Sequence, residues 1–236
     1  MINLFLILAF LQSPAHAISS SHVTLYRPAN VSASVAEGYL AVLEQLYSSY
    51  STSLQIGTQG KIRVRLCRDK YDFADLTNAD SIYSPMWKDG TLFIIARDDI
   101  SEEGYRSKLA AGVVTGMLSS IRENGAPAWL IAAAAVYESG EYKGVDPPLL
   151  GTVKYFSDLE EKMESAQSEE DMSDLLYYLG NTGKFLDGEP GSLMKLLHEF
   201  DHFIPLDDAV RNVFHVTLSR LEGEWHEYLE NLPGRR

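Results

Sequence analysis

His198-Glu199-Phe200-Asp201-His202 spells His-Glu-x-x-His. Four residues apart on a helix, two imidazoles share a face and can hold zinc, and the glutamate beside the first can act as general base toward a metal-bound water. Glu222 or Glu224 lies at a chain distance suited to a third ligand. A zinc-dependent peptidase using His198, Glu199 and His202 is therefore one reading of the sequence. The helix that must carry the motif argues against it. Leu193, Leu196, Leu197, Phe200 and Ile204 make its apolar stripe, which puts His198 and His202 nearly opposite, beside Lys195, on the face that meets water. Asp201 intervenes between the histidines, and Pro205 ends the helix at once. The motif reads as a surface segment, and zinc remains the alternative cofactor to none.

Other chemistry is sparser. There is no Gly-x-Ser-x-Gly elbow, no phosphate-cradling glycine loop and no Cys-x-x-Cys. Cys67, the single cysteine, lies in KIRVRLCRD, whose alternation is that of a strand, and reads as a small core residue. His22, His215 and His226 are scattered and read as surface or capping residues. The acids between Asp158 and Asp174 lack the spaced oxygens and central glycine of a calcium loop and read as a solvated helix surface.

The elements that must position any site follow from periodicity. Val35, Tyr39, Leu43, Leu46 and Tyr50 mark a first amphipathic helix. Ile62, Val64 and Leu66 alternate with charge along a strand over 61–67, and a second strand over 91–96 follows the turn Lys88-Asp89-Gly90. From Ser101 onward the pattern is helical, over 102–122, 127–139, 148–164, 169–180, 191–202, 206–214 and 217–231, with breaks at Asn124-Gly125, 140–148, 180–191 and Pro205. This predicts an α+β fold, mostly helical, in which a small N-terminal mixed or antiparallel sheet precedes a bundle of helices.

The chain has 236 residues, 45% of them hydrophobic, enough for one sizeable core. Its formal charge of -13 repels phosphate backbones and argues against a nucleic-acid partner. Residues 1–17, MINLFLILAFLQSPAHA, have the apolar run, proline break and small terminal residues of a cleavable signal peptide, and the run is too short to span a membrane. The expectation is an exported protein, periplasmic or extracellular, with one domain over 18–236.

The order strand, strand, long apolar helix, then Pro-x-Trp-Leu carries a resemblance. RVRLCRDKYDF, LFIIA, LAAGVVTGML, APAWLIAAAAVYESG and VTLSRLEGEWHEYL follow in that order, and from about His22 to Leu229 the chain resembles the peptidase MA-like family, the thermolysin-type gluzincins. The resemblance implies a zincin-like helical bundle whose first long helix bears His-Glu-x-x-His and whose next helix supplies a glutamate as third zinc ligand. Position by position, the two histidines fall on Ala111 and Thr115, the base on Gly112 and the third ligand on Ala132. None can serve. The framework persists in Leu109, Leu118, Trp129, Leu130, Ala135 and Tyr137. The small residues favour the two helices moving closer over an open pocket, and Gly112 and Gly116 permit close approach of a neighbour. Tyr83 and Trp87, just before the Lys88-Asp89-Gly90 turn, read first as core packing; they are also the candidate binding residues, near the cleft where such enzymes hold peptide along an edge strand.

The expected function is thus a catalytically inactive, metallopeptidase-like protein that binds a peptide or protein partner without a metal. The active zinc peptidase, and a structural or assembly subunit, are the alternatives.

Overall fold

Apolar residues at every second position build a sheet in the first hundred residues. The computed structural model describes residues 16–56, 60–148 and 153–232. β1 (His16–Ser19) and β2 (Val23–Arg27) form an antiparallel pair, with Val23 and Leu25 turned into the core. Of the expected leader, residues 1–15 lie outside the described residues, while His16 and Ala17 open β1. α1 (Ala33–Leu54), capped where Ser32 accepts from the Val35 amide, buries Ala36, Tyr39, Leu43 and Tyr47 along one stripe. β3 (Ile62–Cys67) follows, then α2 (Lys70–Thr77), β4 (Met86–Lys88) and β5 (Thr91–Ile95).

The strands form one mixed sheet in the order β1-β2-β3-β5-β4, with β2, β3 and β5 parallel and the two outer strands antiparallel to their neighbours. The Lys88-Asp89-Gly90 turn lies inside a β4–β5 hairpin: Lys88 pairs with Thr91, and Asp89 and Gly90 take φ of 47° and 69°. Both positive angles suit a two-residue hairpin loop.

The remaining chain is helical: α3 (Glu103–Met117), α4 (Ser119–Glu123), α5 (Ala128–Ser139), α6 (Phe156–Ser165), α7 (Glu169–Leu186), α8 (Ser192–Glu199), α9 (Leu206–Phe214) and α10 (Leu218–Glu230). The fold is α+β, a small five-stranded mixed sheet preceding a helical region. One cluster of buried side chains extends in sequence from Val23 to Leu229. Among the described residues no helix is long and apolar enough to cross a membrane.

Several boundaries differ from expectation. α6 starts at Phe156 rather than 148, because the Asp158 carboxylate accepts from the Lys154 and Tyr155 amides and fixes the first turn there. α7 runs through Gly180 to Leu186. Its glycines mark contact rather than a break: a Cβ at Gly180 would stand 2.0 Å from Tyr142 Cγ, and one at Gly183 would stand 2.7 Å from the Ala133 carbonyl oxygen. A mid-helix glycine costs about 1 kcal/mol relative to alanine, and close packing of α7 on α5 offsets it here. The acids of 158–174 are not simply solvated, since Glu160 accepts from the Ala128 amide at the start of α5.

Candidate functional site

β4, at the edge of the sheet, and three helices enclose a cleft of about 420 Å³. Met86 and Trp87 of β4 form one wall. Ala111, Gly112 and Thr115 of α3 form the floor, Ile131, Ala132 and Ala135 of α5 the second wall, and Met172, Leu175 and Leu179 of α7 the roof. The four positions at which the family resemblance would put two zinc-binding imidazoles, a general base and a third ligand therefore converge on one space. They bring no ligand to it. The Thr115 hydroxyl donates to the Ala111 carbonyl within its own helix at 2.9 Å, the backbone-directed bond common to threonine in helices.

The small residues let α3 and α5 pack directly on each other, and the cleft remains beside that contact because each helix is also held to a further neighbour. A Cβ at Gly112 would stand 2.7 Å from Leu92 Cδ1, and one at Gly116 would stand 2.7 Å from Trp87 Cζ3, so α3 lies hard against β5 and β4. α5 is held the other way, with Gly183 of α7 against Ala133 and Tyr137. The ring of Trp129 on α5 stacks on Phe156 at 4.4 Å, and Phe156 packs on Trp225 of α10 at 4.8 Å. Trp225 donates its indole N–H to the Thr182 hydroxyl at 3.1 Å, which locks α10 to α7. Ala133 and Ala134 do fill close contacts and are buried, while Ala132 faces the opening.

Tyr83 and Trp87 both line the cleft and are half-buried. The Tyr83 hydroxyl donates to the Ala166 carbonyl just after α6, tying the segment before β4 to the helical region. Three charged residues complete the lining: Lys108, Arg122 and Glu141. Arg122 is engaged with the Ala126 carbonyl at 2.8 Å. Burial pushes the Glu141 carboxyl above the usual carboxylate range, and the nearby Lys108 only partly counters this. Sequence reasoning missed Lys108 and Glu141, whose charge reads as solvent face. A perturbed carboxylate in a cleft is the signal that exposes them. Among the described residues no imidazole or thiol lines this space; its lining is mainly apolar, with the hydroxyls of Tyr83, Ser84 and Thr115 and the charged groups of Lys108, Arg122 and Glu141.

The literal motif lies elsewhere. Leu193, Leu196, Leu197 and Phe200 are buried as the stripe required, while the His198 side chain is 43% exposed and pairs with Asp201 at 3.0 Å. α8 ends at Glu199, and residues 200–202 tighten into a 3₁₀ turn, which rotates His202 away from the one-face alignment that an α-helix would give. Of the five motif residues only Asp201 reaches a hollow next to the cleft. Glu222 accepts from the Phe156 amide at 3.0 Å and Glu224 pairs with Arg220 at 2.9 Å, so both proposed third ligands are engaged away from the motif. No group of three or more His, Cys, Asp or Glu is arranged to hold a metal among the described residues.

Cys67 is fully buried at the end of β3, where burial, with Asp72 adding to it, pushes its thiol up to about 12. It is inert core, as its strand pattern predicts. His215 ends α9 in a left-handed conformation, a capping role. Compared with protein-family models, with curated proteins and with solved structures, the chain finds no match in any of the three.

Proposed function

We propose that the chain is an exported, non-catalytic protein of metallopeptidase-like build that binds an extended peptide segment of a partner in the cleft between β4, α3, α5 and α7. The observation that carries this reading is the cleft itself, an apolar hollow of about 420 Å³ around Ala111, Gly112, Thr115 and Ala132, beside a strand that ends the sheet.

An extended peptide suits both features. The outer backbone groups of an edge strand can pair with an added strand, and alternate side chains of that strand then project toward an adjoining pocket. Past Trp87, Thr115, Arg122 and Ile131, which line both spaces, a second hollow of about 710 Å³ prolongs the groove. Among the described residues the cleft is lined by no histidine or cysteine, and no group of three His, Cys, Asp or Glu is arranged to hold a metal.

Trp87 supplies the readout, since Trp129 and Trp225 are buried at 3% and 0% exposure and Trp87 alone meets the cleft. Full-length protein would be screened against an immobilised library of random decapeptides, and the selected peptides titrated by tryptophan emission with zinc content measured in parallel. Saturable binding lost in Ala132→Trp, with the peptide recovered intact, is the expected outcome. Zinc-dependent cleavage, or no peptide selected, would overturn the reading.

A further inference from the structure

At the end of the cleft nearest the start of α3, the lining changes sign. A pocket of about 600 Å³ opens there, with Lys70, Arg97 and Lys108 in its lining and Glu169 as the one acid among the described lining residues. In the chain as a whole acids outnumber bases 33 to 20. Three cations from three separate segments, the start of α2, the stretch just after β5 and the first half of α3, thus line one pocket in a protein whose mean field is negative.

Of the three, Arg97 is the one held in place, while the Lys70 ammonium lies over the Tyr71 ring at 5.3 Å. The Arg97 guanidinium lies over the Tyr105 ring at 4.3 Å, and the Arg97 amide donates to the Tyr39 hydroxyl at 2.9 Å. Tyr39 and Tyr105 share a hydroxyl hydrogen bond of 3.0 Å, and Tyr105 also donates to the Ile95 carbonyl at 3.2 Å, so a buried tyrosine pair fixes the strand end from which Arg97 projects. The carboxylate that pairs with Arg97, Glu102, is 3.8 Å away and 71% exposed, a weak tie that leaves the guanidinium open to a better anion. Ser84 accepts from the Ile95 amide at 2.9 Å, which leaves its own O–H to donate into the pocket. Opposing charge comes from Glu169 in the lining, Glu141 facing Lys108, and Asp80 near Lys70.

The pocket is continuous with the cleft, since Ile82, Ser84, Lys108, Met172 and Leu176 line both. We propose that the pocket formed by Lys70, Arg97 and Lys108 is a carboxylate subsite, which takes either the C-terminal carboxylate or an acidic side chain of the peptide whose apolar residues occupy the cleft. This inference rests on the peptide-binding reading. A singly charged carboxylate matches the pocket, because Glu169 and Glu141 oppose a denser anion such as a phosphate dianion. Arg97 offers the forked donor geometry that carboxylates accept, and Lys108 stands where the apolar and cationic spaces join.

The test uses a peptide selected from the decapeptide library, synthesised with a free C-terminus, as the C-terminal amide, and with each Asp or Glu replaced by Asn or Gln, and titrated against the full chain by Trp87 emission. One of these neutralised forms is expected to bind about tenfold more weakly, the loss typical of a hydrogen-bonded charge. Which form loses affinity tells a terminal from a side-chain carboxylate. Lys108→Gln and, separately, Lys70→Gln should reduce the charged peptide to the affinity of the neutral one at unchanged melting temperature, and raised salt should narrow the gap. Equal binding of every form overturns the carboxylate subsite and leaves the peptide-binding cleft standing. Failure of all forms to bind overturns both.

Discussion

The indole of Trp87 lies across the backbone of Gly116, so close that a Cβ on Gly116 would stand 2.7 Å from Cζ3 and 3.0 Å from Cη2. The wall of the cleft is set by the absence of a side chain on the helix behind it. Gly116→Ala should push the ring outward and cost about 1–3 kcal/mol, the usual range for overpacking. Acrylamide quenching reports the displacement, because the other two tryptophans are buried. Unchanged quenching and stability would mean that the ring is not seated on α3.

Ala132→Leu separates an open cleft from closed helices. In an open apolar cleft the added side chain meets Leu and Met neighbours, and chemical denaturation should find stability within about 1 kcal/mol of the parent or above it. Helices packed together at this point would make the same change cost 2 kcal/mol or more.

The glycines of two helices should answer oppositely. A Cβ at Gly183 would stand 2.4 Å from Tyr137 Cβ and 2.7 Å from the Ala133 oxygen, and the backbone atom cannot swing aside. Gly183→Ala should cost at least about 2 kcal/mol. Gly223 in α10 has nothing within 4 Å of the same site, so Gly223→Ala should add about 0.5–1 kcal/mol through helix propensity and a less flexible unfolded chain. Urea midpoints of the two variants, with unchanged slopes, check both signs.

His198→Ala with His202→Ala should leave melting temperature, zinc content and peptide binding within error of the parent, since one imidazole is half-exposed with a surface aspartate as partner and the other is exposed. A loss of bound zinc together with stability would restore the motif as a metal site.

Acid should loosen the junction of the sheet with α1. Burial alone would raise the Glu44 carboxyl, but hydrogen bonds from the Ser20 hydroxyl, the His22 ring and the His22 amide together outweigh it and hold the carboxyl below its ordinary value of 4.5. A lowered folded value means that the stabilisation is present above pH 4.5 and is lost as pH falls through the lower folded value. The melting-temperature gap between the parent and Glu44→Gln should be widest at pH 7 and close toward pH 3.

Local periodicity made much of this protein legible. The alternation of Ile62, Val64 and Leu66 marked β3, and the stripes of α1 and α8 marked which faces turn inward, because those patterns depend only on a helix or strand having one side in the core. The same reasoning passed over β1, β2 and α2. Val23 and Leu25 alternate over too few residues to stand out, and the cap of α2 at Asp69 was a signal left unread. Of the site, the sequence alone determined that Ala111, Gly112, Thr115 and Ala132 offer no metal ligand and no base, since that follows from side-chain chemistry. It also singled out Tyr83 and Trp87.

Only the tertiary structure decided that those positions surround an open cleft, that Gly180 and Gly183 are contact points within one helix, and that Lys70, Arg97 and Lys108 line one pocket. Each outcome depends on which distant surface a residue touches. Gly112 holds α3 on Leu92 and Gly183 holds α5 on α7 while α3 and α5 also pack on each other, and the cleft lies beside that contact. No local pattern in a sequence records such a choice of neighbour.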